Sequence, residues 1–130
     1  MAYAVNTHAI YFSLVDPSKL GPKARAAMQE AEAGRALLHL PSIVAAELYW
    51  LAAKRGRSDL VRKLLGNVLQ TPCQFIPESL EAVHFLDLDN DVAVPEMHDR
   101  IIVGVARRLE VPLITKDEEI TKSGLVDVIW

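Results

Sequence analysis

Short apolar runs of β character alternate along this chain with helical stretches of about ten residues, and that alternation restricts the fold more than any other feature. A strand can pair in parallel with its successor only through a crossover of a dozen or more residues, which a helix supplies, and such crossovers are right-handed. The apolar runs fall at residues 3–5, 36–40, 73–76, 111–115 and 126–130. Asn6-Thr7-His8 closes the first, Pro41 the second and Pro77 the third, while Pro112 is tolerated in the fourth at a first or edge position. Between them, residues 9–14 have helical composition, and Pro22 suits the first turn of a helix running to about Ala33 with Gly34 as its stop. Ser42 is placed to cap a helix ending near Gly56, and Ser58 caps another over residues 59–69. Residues 78–86 are helical by period, residues 87–96 read as an acidic loop broken by Pro95, and residues 117–122 as a short helix. His98 or Asp99 opens a helix whose apolar stripe is Ile102, Val105, Ala106 and Leu109. The expected architecture is α/β in three layers, a mostly parallel central sheet of about five short strands with helices on both faces.

A length of 130 residues is enough for one domain, residues 1–130, around one core. With 51% hydrophobic and 24% charged residues, the chain is not of the disordered class. A formal charge of -3 excludes a blanket attraction to nucleic acid, so any such contact must be local. Cys73 is the single cysteine; it has no disulfide partner in the chain, reads as a small hydrophobe beside a strand, and suits a reducing cytoplasm. No stretch approaches the roughly 20 apolar residues that span a bilayer, and MAYAVNTHAI lacks a basic region ahead of a long apolar run, so a cytoplasmic chain is expected.

In open sheets of this kind, ligands bind at the carboxyl ends of the strands. Asn6-Thr7-His8 and Thr115-Lys116-Asp117 follow two strands and are expected to face one crevice. Glu47 has Ile43 four residues before it and Trp50 and Leu51 three and four after, which puts its carboxylate on the apolar side of a helix. There it needs a cation or a donor, because an isolated buried carboxylate would take up a proton. Asp99 precedes Ile102 and Ala106 by three and seven residues, so it too points toward the sheet. Each acid alone has a plain structural explanation: an ion pair for Glu47, the helix dipole for Asp99, an N-cap for Asp117. Taken with the neutral oxygen of Asn6, they make a set of hard oxygen donors suited to Mg²⁺ or Mn²⁺ and not to zinc. Divalent ions so held support phosphodiester hydrolysis.

At these residues the sequence resembles the PIN domain, and within it the VapC toxins of toxin-antitoxin pairs. The resemblance covers essentially the whole chain and is carried by AVNTHAIYFSL, PSIVAAELYWLAAKRG, HDRIIVGVARRLEVPLITKDEEI and the closing Val-Asp-Val-Ile-Trp. It implies a metal-dependent endoribonuclease in which Glu47, Asp99 and Asp117 bind metal, and Thr7 and Thr115 help order the site. Asn6 stands where an aspartate is expected. Asparagine keeps the size and one acceptor oxygen but loses a charge, so the site is expected to be weakened or inactive; loss of even a supporting group in a metal site costs about 10 to 100-fold. A deliberate Asp→Asn silencing change and a naturally weakened member both account for it, and the retention of every other acidic position favours the first. The resemblance also implies a VapB-type antitoxin, an RNA substrate, and homodimers that pair into larger assemblies.

Arg100, Arg107, Arg108 and Lys116 lie near these acids in sequence and are candidate charge-assisted contacts for RNA phosphates, Arg100 and Lys116 foremost. Lys54, Arg55, Arg57, Arg62 and Lys63 form a second basic group, read as a solvated face with RNA binding as the alternative. His8 and His98 lack the spacing of zinc ligands and read as rim residues. The apolar faces at residues 10–15 and 48–51 are core or docking surfaces. Two rival functions remain: a silent PIN-like module that holds RNA or an antitoxin, supported by Asn6, and a phosphoacceptor receiver. The receiver reading lacks an aspartate at the end of the third strand, Phe75-Ile76-Pro77.

Overall fold

Tyr3, Ala4 and Val5 are consecutive and all buried, and because successive strand residues point to opposite faces, both faces of their strand must be covered. That strand, β1 (Ala2–Val5), is the centre of a sheet described by a computed structural model that covers residues 1–70 and 74–130. β1 pairs in parallel with β2 (Leu37–Pro41) on one side and β4 (Leu113–Ile114) on the other. β3 (Phe75–Glu78) extends the sheet beyond β2, and β5 (Val128–Ile129) extends it beyond β4. The order is β3-β2-β1-β4-β5, every pair parallel, as the alternation of strands and helices requires.

The connections are α1 (Thr7–Val15) and α2 (Pro22–Glu32) between β1 and β2, and α3 (Ser42–Lys54) and α4 (Ser58–Gln70) between β2 and β3. A 3-10 helix (Ala82–Asp91) and α5 (Met97–Leu109) lead back to β4, and α6 (Glu118–Ser123) leads on to β5. Chain direction across the sheet therefore reverses at β1, with β2 on one side and β4 on the other. Reversal points of this kind leave a crevice above the strand ends. Ile10, Val44, Leu48, Ile102, Leu113, Ile114 and Ile120 are fully buried around the sheet.

Several sequence expectations change. Residues 78–86 are not one helix: Glu78 ends β3, Pro77 sits inside that edge strand, and the helical turn starts at Ala82 and runs as a 3-10 helix into the segment expected as a loop. Asp87, Asp89, Asn90 and Asp91 are poor α-helix interior residues, which favours the tighter, shorter form. The stripe on α5 is also wider than expected, since Ile101 through Ala106 are all buried. The 3-10 helix packs on α5 and is tied to it through Asp91, buried and paired with Arg107 Nε at 2.8 Å and Nη2 at 3.1 Å. Trp50 is 66% exposed, so it does not share the buried side of α3 with Val44 and Leu48. Finally, β4 and β5 are shorter than the apolar runs that signalled them; Pro112 has no N–H to give, although its carbonyl accepts from Ala4 N at 2.9 Å.

The N-cap expected at Ser42 falls instead at Pro41, without a side-chain bond. Gly34, at φ 77°, terminates α2 as expected. Cys73 lies outside the described residues, as does the start of the third apolar run. Among the described residues no helix is long and apolar enough to cross a membrane.

Candidate active site

The backbone of β1 stops at Asn6, whose N–H donates to Ile114 O at 3.1 Å, so the ends of β1 and β4 are held side by side. The side chains that follow carry this link into the crevice. Asn6 Oδ1 accepts from Thr7 N at 2.7 Å, which fixes the amide's orientation because a backbone N–H can only donate. Asn6 Nδ2 then donates to Thr115 Oγ1 at 2.9 Å, and Asp117 N donates to the same hydroxyl at 3.1 Å. On the other side, Thr7, 5% exposed, donates its hydroxyl to Glu47 Oε1 at 3.0 Å. Two threonines thus tie α3 and the start of α6 to the end of β1.

Asp99 enters from the first turn of α5. Its own N–H donates to Glu96 Oε2 at 2.8 Å, with Glu96 as the N-cap, and Glu96 Oε1 lies 2.7 Å from His98 Nδ1. Asp117 caps α6, accepting from Ile120 N at 2.9 Å, so its plain capping role is real and leaves its second oxygen Oδ2 for other partners. These elements enclose a cleft of about 720 Å³ whose lining includes Asn6, Thr7, Glu47, Asp99, Thr115 and Asp117. Lys116, Lys54, His8 and Glu96 line it as well. Arg100 does not: its Nε donates to Val94 O at 2.7 Å, and it lies instead beside Asp87 and Asp91. Arg100 thus lies outside the cleft lining, with its Nε engaged by the loop before α5.

The cleft is electrostatically divided. Burial pushes the Asp99 carboxyl up to about 6, and Asp117, Glu96 and Glu47 add to the rise by repulsion. Burial also pushes Glu96 up, but the hydrogen bonds from Asp99 N and His98 outweigh it and hold that carboxyl below its ordinary value. His98 is raised, first by its hydrogen bond to Glu96. His8 moves the opposite way: desolvation lowers it, Lys116 and Arg55 lower it further, and Glu47 opposes them. Among the described residues no lysine, arginine or histidine lies within ion-pair distance of Glu47, Asp99 or Asp117. Nor are any three His, Cys, Asp or Glu side chains among them already gathered around one point as a metal cage. Carboxylates that repel one another are not expected to converge without a cation between them.

Three charged cleft residues, Glu96, Lys54 and Glu118, go beyond the sequence expectations. Glu96 lay in a segment read as loop, although it stands three residues before Asp99, the spacing at which an N-cap side chain meets the N3 amide. Lys54 was grouped with a solvated basic face, although it follows Glu47 by seven residues and so shares its helix face.

Residues 3–124 match the PIN domain family, a span that takes in both strand ends and every acid of the cleft. The chain belongs to the PIN domain family. No curated protein matches it in sequence. Its fold is similar to that of VapBC2 from Rickettsia felis, at a TM-score of 0.72 and 16% identity over 98% of this chain and 97% of that one. It is similar also to VapC20 from Mycobacterium tuberculosis, a Sarcin-Ricin loop cleaving toxin, at a TM-score of 0.68 and 15% identity over 98% and 99% of the two chains. For FitAcB from Neisseria gonorrhoeae the TM-score is 0.61, with 16% identity over 97% and 95%. At these identities the likeness is one of fold, and this PIN domain shares the full extent of those chains.

Proposed function

We propose that this PIN domain is a metal-dependent endoribonuclease of the VapC toxin type, acting on RNA phosphodiester bonds and weakened or silenced by Asn6. The observation that carries the reading is the gathering of Asn6, Glu47, Asp99 and Asp117 in one cleft, where among the described residues no side-chain cation lies within ion-pair distance of the three acids; burial first, and then repulsion from Asp117, Glu96 and Glu47, push the Asp99 carboxyl up to about 6. Hard oxygens at such density suit Mg²⁺ or Mn²⁺. Glu47, Asp99 and Asp117 would hold the ion with Asn6 in support. A bound divalent ion supplies positive charge to a phosphoryl oxygen and makes water a stronger nucleophile at neutral pH. The chain's own part is positioning. Thr7 orients Glu47, the Glu96 cap orients the first turn that bears Asp99, and Thr115 with Ile120 N–H orients Asp117.

The likeness to VapC20, a toxin that cleaves the Sarcin-Ricin loop, supports RNA as the substrate class. The likeness to VapBC2 and to FitAB, both known with bound DNA fragments, supports a VapB-type antitoxin as partner; homodimers that pair into a larger cytoplasmic assembly complete the reading. Of the apolar faces read as docking surfaces, Ile10, Tyr11, Phe12 and Leu48 are core, which leaves Leu14, Val15, Tyr49 and Trp50 to meet a partner.

One observation favours a second reading, a silent module that holds RNA or antitoxin: Asn6 has both amide groups engaged inside the protein. Calorimetric titration with Mn²⁺, followed by digestion of total RNA with and without chelator, separates the two. The nuclease reading expects Mn²⁺ binding that Glu47→Gln and Asp99→Asn abolish, together with cleavage by the Asn6→Asp chain that chelator stops. RNA bound but never cut, with no metal taken up, would leave the silent module as the account.

A further inference from the structure

Most charged side chains around the 3-10 helix and α5 are paired: Arg107 with Asp91, Arg108 with Asp87, His98 with Glu96. Lys54 and Lys116 differ. Both line a cleft that also holds Glu47, Asp99, Asp117 and Glu118, yet among the described residues neither has a carboxylate within ion-pair distance. They come from different elements, Lys54 from the end of α3 and Lys116 from the turn between β4 and α6. Lys54 is seven residues along α3 from Glu47, with Leu51 between them on the same lining face. Lys116 lies between Thr115 and Asp117 at the end of β4.

Lys116 is held by rings instead of acids. Its Nζ lies 5.0 Å from the centroid of Phe12 and 6.0 Å from that of Trp130, and the two rings meet edge to face at 6.4 Å. A cation over an aromatic face is attracted to it while keeping its charge available to an anion on the other side. The ring pair has its own support, since a Cβ on Gly21 would come within 2.4 Å of Trp130 C, so only glycine admits Trp130 at this place.

We propose that Lys54 and Lys116 form a two-sided phosphate clamp across the acid cleft, with Lys116 set in position by Phe12 and Trp130. The clamp rests on the nuclease reading and names how its substrate is held: one phosphodiester strand crosses between the lysines, so that a backbone phosphate lies over the carboxylates that would otherwise repel it. It also explains how a chain of net charge -3 can hold RNA, because attraction is confined to the walls of the site.

The test is binding of a short fluorescent single-stranded RNA of mixed sequence, followed by anisotropy over a range of salt, with digestion of the same RNA in Mg²⁺ measured alongside. The clamp expects Lys54→Gln and Lys116→Gln each to weaken binding about three- to tenfold and to flatten the salt dependence of log K by about 0.7, the share of one phosphate on a single strand. Trp130→Leu, which keeps the charge of Lys116 but removes its seat, is expected to weaken binding while leaving that slope intact. Lys63→Gln, on α4 away from the cleft, is expected to change neither. RNA that is bound and cut with equal affinity and slope in both lysine variants overturns the clamp alone, as does an equal loss in Lys63→Gln. RNA neither bound nor cut by the unaltered chain or by Asn6→Asp overturns the nuclease reading and the clamp with it.

Discussion

Asn6 satisfies both of its amide groups, taking Thr7 N–H on Oδ1 and giving Nδ2 to the Thr115 hydroxyl. An aspartate there accepts at both oxygens, and Thr115 need only rotate its hydroxyl from acceptor to donor. Asn6→Asp is therefore expected to leave the fold intact and to tighten Mn²⁺ binding about 10 to 100-fold, read by calorimetry. Thr7→Val removes the donor that holds Glu47; about 1 kcal/mol of stability and roughly tenfold in metal affinity should go with it, checked by urea unfolding and by the same titration. Asp99 yields a pH signature. Its folded value of about 6 exceeds the ordinary 3.8, so the folded chain binds this proton more tightly than the unfolded one. That contribution is fully present below pH 3.8 and is lost as pH rises through about 6. Relative to the parent, metal-free Asp99→Asn is expected to gain stability across that window and to keep the gain at neutral pH; parallel pH profiles in chelator would contradict it. Asn6, Thr7, Glu47, Asp99, Thr115 and Asp117 were legible in the sequence because strand ends and helix period place them. Glu96 was not, since its meaning depends on the helix starting at Met97, one residue earlier than the sequence suggested.

The 3-10 helix (Ala82–Asp91) and α5 behave as one unit. Asp91 is 1% exposed and its carboxylate is answered by the Arg107 fork, so Asp91→Ala leaves a cavity and an arginine without its partner, and about 1–3 kcal/mol should be lost in urea unfolding. Arg107 is partly exposed, which keeps the figure below that of a fully buried pair. At the far end of α5, Glu110 ends the helix at φ 55°, a left-handed backbone that suits glycine. Glu110→Gly is expected to raise stability by about 0.5–1 kcal/mol, and a loss would contradict the assignment of strain there. Elements with strong period or firm punctuation, such as α2 between Pro22 and Gly34, were legible to within a residue or two. The segment from Glu78 to Glu96 was not: its acidic composition disfavours an α-helix, but the ion pair of Asp91 with Arg107 that ties it to α5 is a contact local composition does not encode. Trp50 misled for a related reason: helical spacing put it with the buried side of α3, whereas that side is completed by Val44, Leu48 and Ala52.

Across the whole molecule, parallel strands in the order β3-β2-β1-β4-β5 make a reversal point at β1, and Glu47, Asp99 and Asp117 are delivered there by three different connections. The architecture was legible from the strand and helix alternation, since right-handed crossovers leave few other solutions. The two unpaired lysines beside the carboxylates were legible only in part: Lys116 follows from its place at a strand end, whereas Lys54 does not, because its part depends on which lysines go unpaired. Like charges gathered at one site are tolerated for function at the expense of stability, so saturating Mg²⁺ is expected to raise the melting temperature of Asn6→Asp by more than that of the Asn6 chain. The central claim is that this cleft is a metal-dependent ribonuclease site weakened at Asn6. Its most direct test is the cleavage of total RNA by the Asn6 chain and by Asn6→Asp, side by side in Mg²⁺, in Mn²⁺ and in chelator. The account predicts cleavage by Asn6→Asp that exceeds the parent's at least tenfold or so, requires the metal and disappears with Asp99→Ala. No cleavage by either chain, or cleavage that survives chelator, would contradict it.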